Sequence, residues 1–152
     1  MPITIFAVGK KHEDWVMSGI ERYQKRLKAP FTIEWVLLPH SSFEGDRARQ
    51  EESERLSKRT KSYDYTILLD ERGKNSDSPS LSRLLSTQFA TGKRIALVIG
   101  GAYGVTDEFR QQADFVWSLS ALVLPHQLVR LIVAEQMYRA QEIANGGKYH
   151  HS

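Results

Sequence analysis

The chain has no cysteine among its 152 residues, which excludes disulfide bonds, a thiolate nucleophile and a cysteine-based zinc site. It also has no apolar run long enough to cross a bilayer. The first segment, 1–11, places its apolar residues before its charged ones, which is typical of a first strand and not of a signal peptide. We therefore expect a soluble, cytoplasmic protein with no membrane partner.

Charge and histidine content give little indication of a ligand. Lysine and arginine total 21 against 18 acidic residues, a net charge of +3, which permits a polyanionic partner without requiring one. The five His residues show no metal-ligand spacing, so we expect no metal. The glycines at 100–104 do not form G-x-G-x-x-G, and those near 73 do not form a P-loop. A dinucleotide or triphosphate site is thus disfavoured.

Five short apolar or β-branched runs predict strands, and polar, helix-compatible segments lie between them. The predicted strands are 3–8, 32–38, 65–69, 95–99 and 115–119, and the predicted helices are 14–28, 46–61, 80–89, 106–112 and 127–144. Thr106 and Ser80 are candidate helix caps. Several strand runs are continuous, which is typical of strands covered on both faces. The alternation predicts an α/β fold, a mainly parallel sheet flanked by helices in one domain, 1–152.

Three predicted strands end in loops rich in accessible backbone rather than reactive side chains. Segment 119–124 is small and apolar, and a backbone lining of this kind recognises a planar heterocycle by main-chain hydrogen bonds. Strand 95–99 ends in two glycines, which let a ligand approach the backbone. Segment 68–74 is the third such loop. Any one of them alone can be an ordinary strand exit, but the carboxyl ends of parallel strands form the usual ligand site, so together they predict one pocket.

Two helical segments differ in composition. Segment 46–61 interleaves basic and acidic side chains, which favours a solvated helix face over a nucleic-acid patch. The last helix has almost no polar face in its first half, so the side that does not pack on the sheet needs a second apolar cover. We favour a partner subunit as that cover, with another helix of the same chain as the alternative.

An ordered set of short motifs spans the chain and is far more specific than its single pieces. The set consists of Ala7-Val8-Gly9-Lys10, Leu69-Asp70 with Gly73-Lys74, Ile99-Gly100-Gly101 with Gly104, Leu119-Ser120 with Pro125-His126, Arg130, Glu135-Gln136 with Tyr138-Arg139-Ala140, and Tyr149-His150. It closely resembles the bacterial ribosomal RNA large subunit methyltransferase H family. Members of that family are pseudouridine N-methyltransferases of the trefoil-knot (SPOUT) superfamily.

The resemblance implies a homodimer whose C-terminal half is tied in a deep knot, an exception to the rule that chains do not thread their own loops. It implies S-adenosyl-L-methionine as the cofactor, held in a bent form by the knot loops. Carried across position by position, the cofactor contacts fall at Leu69, Gly100, Leu119, Ser120, Ala121, Leu122, Val123 and Leu124.

The reaction that the resemblance implies is methyl transfer to ring N3 of a pseudouridine in large-subunit (23S) ribosomal RNA, within assembled ribosomes. Such an enzyme has to align donor and acceptor and assist loss of the imide proton at N3. No covalent intermediate is needed, which fits a chain without cysteine. Two other functions stay open: a non-catalytic ribosome-associated RNA-binding module of the same fold, and a knotted methyltransferase acting on transfer RNA.

Four side chains are candidates for the chemistry. His126 and Arg130 lie one turn apart beside the predicted cofactor loop, where they can hold a phosphate or orient the base. The alternative is that His126 caps the helix and Arg130 pairs with a carboxylate. By the resemblance, Tyr149 stacks on the target base, and His150 accepts a proton or contacts ribose or phosphate. An unstructured terminus is the alternative for this tail.

The sequence departs from the family pattern at one place in the tail. Family tails commonly carry Lys or Arg directly after the Tyr-His pair, whereas His151 stands there in this chain. A fixed positive charge is therefore missing at that point. For Glu135 and Arg139, four residues apart, we favour an intrahelical ion pair, and we assign Tyr138 to an interface or the core.

Overall fold

Strands and helices alternate from the first strand to the last helix in the computed structural model, which describes residues 1–151. The elements are β1 (Ile3–Val8), α1 (Asp14–Gln24), β2 (Ile33–Leu38), α2 (Gly45–Thr60), β3 (Tyr65–Asn75), α3 (Ser78–Ala90), β4 (Ile95–Ile99), α4 (Asp107–Gln112), β5 (Phe115–Ser118) and α5 (His126–Ala144). Residue 152 of the predicted domain lies outside the described residues.

The five strands form one sheet in the order β2-β1-β4-β3-β5, and every neighbouring pair is parallel. All residues of β1 and β4 are buried, as their continuous apolar sequences predict for central strands covered on both faces. The α/β prediction is confirmed. Because the sheet is parallel, β4, β3 and β5 present their carboxyl ends side by side at one edge.

Helices cover both faces of the sheet. On one face α1, α3 and α5 pack through apolar side chains such as Val16, Leu85 and Met137, and on the other α2 and α4 contribute Leu56 and Phe109. Burying one such side chain stabilises the fold by roughly 1.5–3 kcal/mol. The two cores fix the orientation of each helix, and with it the loops at the sheet edge.

The predicted end of β3 at residue 69 is wrong. After an irregularity that follows Leu69, the strand pairs with β5 again, with Lys74 opposite Trp117 and Asn75 opposite Ser118. The Asn75 amide also donates to the Ser118 carbonyl at 3.0 Å. Leu69 and Lys74 both lie opposite Trp117, so residues 70–73 of the expected loop bulge out of the ladder before the strand resumes. The hydrophobic pattern ends at residue 69 because it reports burial, whereas residues 74 and 75 pair through their backbone.

Two helix boundaries also differ from the sequence prediction by two residues or more. Helix α3 begins at Ser78 because Asp77 is its cap, with its carboxylate accepting the backbone N–H of Ser80 at 2.8 Å. Ser80 itself is therefore not the cap. Helix α1 ends at Gln24, four residues before the predicted end. Thr106 caps α4 as predicted, accepting from the backbone N–H of Phe109.

Two helices of the same chain, α1 and α3, pack on α5. Part of the cover that we assigned to a partner subunit thus comes from this chain. The buried side chain of Gln141 fastens α5 to the segment after α1, accepting from the Lys28 backbone N–H at 2.7 Å and donating to the Arg26 carbonyl at 3.1 Å. None of the helices in residues 1–151 combines the length and apolar composition that a bilayer crossing requires. The knot implied by the resemblance stays a prediction.

Replacing Gln141 by Ala tests whether its two hydrogen bonds to the segment after α1 stabilise the fold. We expect the free energy of unfolding to fall by about 1–3 kcal/mol, because the Lys28 N–H and the Arg26 carbonyl lose their partner and a cavity opens at the buried Gln141 site. Urea denaturation measures the change. The matched control is Gln111→Ala on the exposed side of α4, which should stay within about 0.5 kcal/mol of the parent. Equal effects for the two variants would contradict the assignment.

Candidate functional site

A cavity of about 800 Å³ opens at the carboxyl ends of β3, β4 and β5. That volume is within the usual range for a site that takes a cofactor-sized molecule. The residues of its inner wall are Leu69, Gly100, Trp117, Leu119, Ser120, Leu122, Val123, Leu124 and Val129. The structure thus brings all the predicted cofactor contacts except Ala121 to one cavity, and Ala121 lies in the same loop.

Backbone groups dominate the loop after β5. From Ser120 to Leu124, within the described part of the chain, no N–H or carbonyl pairs with another backbone group. The loop is shaped by serines instead, with the Ser118 hydroxyl donating to the Ser120 carbonyl and the Ser120 hydroxyl accepting from the Leu122 N–H, both at 3.0 Å. Leu122 and Val123 are 71% and 85% exposed. Free polar backbone beside uncovered apolar side chains is the pattern of a ligand wall.

The packing behind the loop after β4 leaves no room for a side chain at positions 100 and 101, which the sequence did not predict. A Cβ at Gly100 would lie 3.1 Å from Val105, and one at Gly101 would lie 2.6 Å from a carboxylate oxygen of Glu52. The protein's own atoms therefore fill the space on the Cβ side of these two residues. The loop is closely packed from behind while its other side faces the cavity.

Charged side chains form the outer rim of the cavity. Arg72 pairs with Asp70 at 2.7 Å, and the Arg49 side chain donates to the Tyr103 carbonyl at 2.9 Å. Burial alone favours the neutral form of Asp70, but the hydrogen bonds and charge of Arg72 outweigh it and hold the pKa of the carboxyl below its ordinary value. The rim thus carries fixed charges of both signs around an apolar, backbone-lined interior.

His126 is the first residue of α5 and lies at the glycine loop. Burial, aided by the charge of Arg130, lowers the pKa of the ring to about 4, and a hydrogen bond to the backbone of Gly100 opposes this only in part. The ring is therefore neutral at neutral pH. Its buried Nε2 atom has no hydrogen-bond partner among the described residues.

Arg130, one turn further along α5, is fully buried without a carboxylate partner among the described residues. Its Nη1 donates to the Lys10 carbonyl at 2.8 Å and lies 3.2 Å from Nδ1 of His12, while Nε and Nη2 have no partner in residues 1–151. Burial lowers the pKa of the guanidinium. The ion pair expected from a structural role is not formed, and a buried cation with two free donors is energetically costly unless something completes it.

The tail folds back on the middle of α5. The Tyr149 hydroxyl donates to Glu135 at 2.8 Å, and Nδ1 of His150 lies 3.0 Å from the Arg139 guanidinium. The predicted Glu135–Arg139 ion pair is confirmed at 2.8 Å, and Tyr138 packs edge-on against the Tyr149 ring. Burial and the hydrogen bond to Glu135 raise the pKa of Tyr149. Residues 149 and 150 are thus docked, unlike the unstructured terminus considered above.

The four catalytic candidates form two separate groups. His126 and Arg130 lie at the start of α5, whereas the tail residues Tyr149 and His150 bind the side chains at 135 and 139. His126 and Arg139 are thirteen positions apart along α5, which corresponds to roughly 20 Å. None of the four lines the cavity itself. The tail is therefore held further along α5 than His126 and Arg130.

Sequence analysis missed several residues that the structure brings to the site. Glu135 and Arg139 were assigned only to an ion pair, yet they also hold the tail. Arg49 was assigned to a solvated face, yet it lies on the cavity rim. The four-residue spacing of Glu135 and Arg139 did not indicate a contact with the tail, since any surface ion pair on a helix has the same spacing. Nowhere in residues 1–151 do three His, Asp or Glu side chains gather as metal ligands would.

Two solved structures share the fold of this chain. A probable methylase family protein from Haemophilus influenzae Rd KW20 superposes with a TM-score of 0.60 at 13% identity, over 99% of this chain and 70% of that one. A probable methyltransferase from Bordetella pertussis Tohama I gives 0.57 at 15% identity, over 90% and 95%. These likenesses identify a methyltransferase fold.

Sequence comparison identifies the family. A profile described as predicted SPOUT methyltransferase matches residues 1–150. Proteins named ribosomal RNA large subunit methyltransferase H are 40% identical in Acetivibrio thermocellus and 41% identical in Geobacter sp. strain M21, with 99% of both chains covered in each case. The chain belongs to the SPOUT methyltransferase family, and the resemblance described above is confirmed.

Acid titration tests the environment of His126. Between pH 6.5 and 4 the unfolded chain binds a proton at this position that the folded chain does not, because the folded pKa is about 4 and the unfolded one about 6.5. The stabilisation is therefore complete above pH 6.5 and lost as the pH falls towards 4. Since water screens part of the effect, we expect a loss of about 1–2 kcal/mol.

Unfolding curves of the parent and of His126→Gln between pH 7.5 and 4.5 measure this loss. His12, whose pKa burial also lowers, titrates in both proteins and cancels in the difference. The variant should lose less stability on acidification than the parent. Parallel pH profiles would show that His126 titrates normally.

Proposed function

We propose that this protein transfers a methyl group from S-adenosyl-L-methionine to N3 of a pseudouridine in large-subunit ribosomal RNA. The observation that carries the proposal is the cavity at the ends of three parallel strands, whose wall from Ser120 to Leu124 offers backbone polar groups without backbone partners. The RNA target rests on the names of the relatives that match the full chain. N3 of pseudouridine rests on the family resemblance.

The cofactor fits the residues present. The loop after β5 would take the adenine through its main chain, as planar heterocycles are commonly bound. Leu69 and Gly100 would flank the ribose and methionine portions, and the exposed Leu122 and Val123 would be covered. When bound, S-adenosyl-L-methionine supplies an activated methyl group on a sulfonium. The protein then has to orient the base and remove its imide proton.

The catalytic candidates divide these tasks according to their surroundings. With its pKa held near 4, His126 is a poor proton acceptor, so we assign it and Arg130 to hydrogen bonding with the nucleotide. The Nε and Nη2 donors of Arg130 suit a phosphate or a base carbonyl, but they are buried, so this contact requires the segment over them to move. We assign base stacking to Tyr149 and acceptance of the imide proton to His150. Glu135 and Arg139 would hold these two tail residues in position.

A homodimer would unite the two groups of residues. A groove between α1 and α5, with Leu128, Leu131 and Ile132 in its wall, leaves apolar surface of α5 uncovered. Neither Tyr149 nor His150 lines the cavity of its own chain, which is compatible with a site completed by a second copy. We further propose that residues 1–152 act as one domain in the cytoplasm and that the substrate is the assembled ribosome.

Methylation of ribosomes tests the proposed function. With labelled S-adenosyl-L-methionine, the protein should methylate ribosomes that contain the target pseudouridine, and it should leave ribosomes from a strain lacking that modification unlabelled. Purified transfer RNA is the control for a knotted transfer RNA enzyme. Ribosome and cofactor binding without any transfer would instead identify a non-catalytic RNA-binding module.

Removal of residues 148–152 tests the role of the tail. We expect turnover to fall by at least about a hundredfold, since a positioned general base is typically worth 10²–10⁴-fold. Affinity for S-adenosyl-L-methionine, measured by calorimetry, should stay within about threefold, because no tail residue lines the cavity. The control is His151→Ala, an exposed residue beyond the docked pair. Unchanged turnover after the deletion would exclude the tail from catalysis.

A further inference from the structure

One face of α2 contacts the glycine loop, 100–106, that lines the cavity. Arg49, Glu52 and Ser53 lie three and four residues apart, so they share this face. The Arg49 side chain donates to the Tyr103 carbonyl at 2.9 Å, and the Ser53 hydroxyl accepts the Thr106 N–H at 3.0 Å. The charged helix that sequence analysis predicted as a solvated face therefore supports a wall of the cavity.

Glu52 is the most constrained residue of this face. Its side chain is buried, with 3% exposure, although α2 is a strongly charged helix. One carboxylate oxygen, Oε2, accepts the backbone N–H of Ser41 at 2.9 Å. The other, Oε1, has no hydrogen-bond partner among residues 1–151 and abuts Gly101, where a Cβ would come within 2.6 Å of it. Glu52 does not line the cavity, whereas Gly101 does.

We propose that Glu52 is a positioning residue that supports the glycine loop from behind and couples it to the loop after β2. The proposal rests on the proposed function, because the loop it shapes is part of the cofactor pocket. Burying a carboxylate costs free energy unless hydrogen bonds compensate for the lost water. The backbone N–H of Ser41 supplies such a bond and holds the Glu52 carboxylate against Gly101. Gly101 is small because Glu52 occupies the space that its Cβ would need.

Truncation of Glu52 should weaken cofactor binding more than catalysis. In Glu52→Ala the loop loses its support, so we expect the Kd and KM for S-adenosyl-L-methionine to rise about tenfold, as the loss of one buried hydrogen bond would produce. The kcat at saturating cofactor should stay within about twofold. Glu52→Gln keeps the volume and an acceptor for Ser41, and it should restore the affinity to within about threefold. Glu54→Ala, an exposed residue of the same helix, is the matched control.

A double-mutant cycle tests the contact between Glu52 and Gly101. Gly101 does not have a positive φ, so alanine there meets mainly the Glu52 carboxylate, with Val8 at 3.2 Å as a lesser obstacle. We expect Gly101→Ala to lower cofactor affinity at least about tenfold. In the Glu52→Ala background the added methyl group has room. There we expect Gly101→Ala to lower the cofactor affinity by less than a further factor of about three. Additive losses would overturn the contact.

Hydrogen exchange separates this proposal from the proposed function. In the cofactor-free protein, the amides of residues 100–106 should exchange at least about tenfold faster in Glu52→Ala than in Glu54→Ala, with α5 unchanged in both. If the parent bound no S-adenosyl-L-methionine, the proposed function would be contradicted. The exchange rates of residues 100–106 would still show whether Glu52 supports the loop. Equal exchange of the loop in the two variants, or equal cofactor affinities, would overturn the role of Glu52.

Discussion

Backbone groups without backbone partners are the constraint around which the candidate site is organised. In the parallel sheet, β3, β4 and β5 end side by side, and the loop after β5 leaves its polar main chain facing a cavity. Two polar backbone groups of the loop are satisfied by serine hydroxyls, and the rest have to be satisfied by water or by a ligand. A heterocycle with donors and acceptors along its edge is a suitable ligand. The chemistry of the site is thus supplied mainly by the fold, with few side chains involved.

Helix α5 links the two halves of the proposed active site. Its first turn carries His126 and the buried Arg130 beside the glycine loop, and its later turns hold the tail through Glu135 and Arg139. The low pKa of His126 and the free donors of Arg130 suit substrate binding rather than proton transfer. The separation of the two groups along one helix is the reason for proposing that a second copy completes the site.

The sequence predicted those features that depend on local pattern. Continuous apolar runs identified the five strands, and the loops at their ends identified the wall of the cavity, because both follow from burial and chain order. The second part of β3 was missed since it pairs through backbone, with no apolar pattern to mark it. Glu52 was missed for a related reason. In a helix of alternating charges, its sequence context is the same as that of exposed Glu54, and only tertiary packing distinguishes them.

The most direct test of the central claim is an NMR titration of the protein with S-adenosyl-L-methionine, following the backbone amides. The account predicts that the largest shifts cluster in residues 119–124 and extend to Leu69 and Gly100, whereas the α1–α5 groove and the tail change little. Shifts confined to another surface, or none at saturating cofactor, would contradict binding through the strand exits.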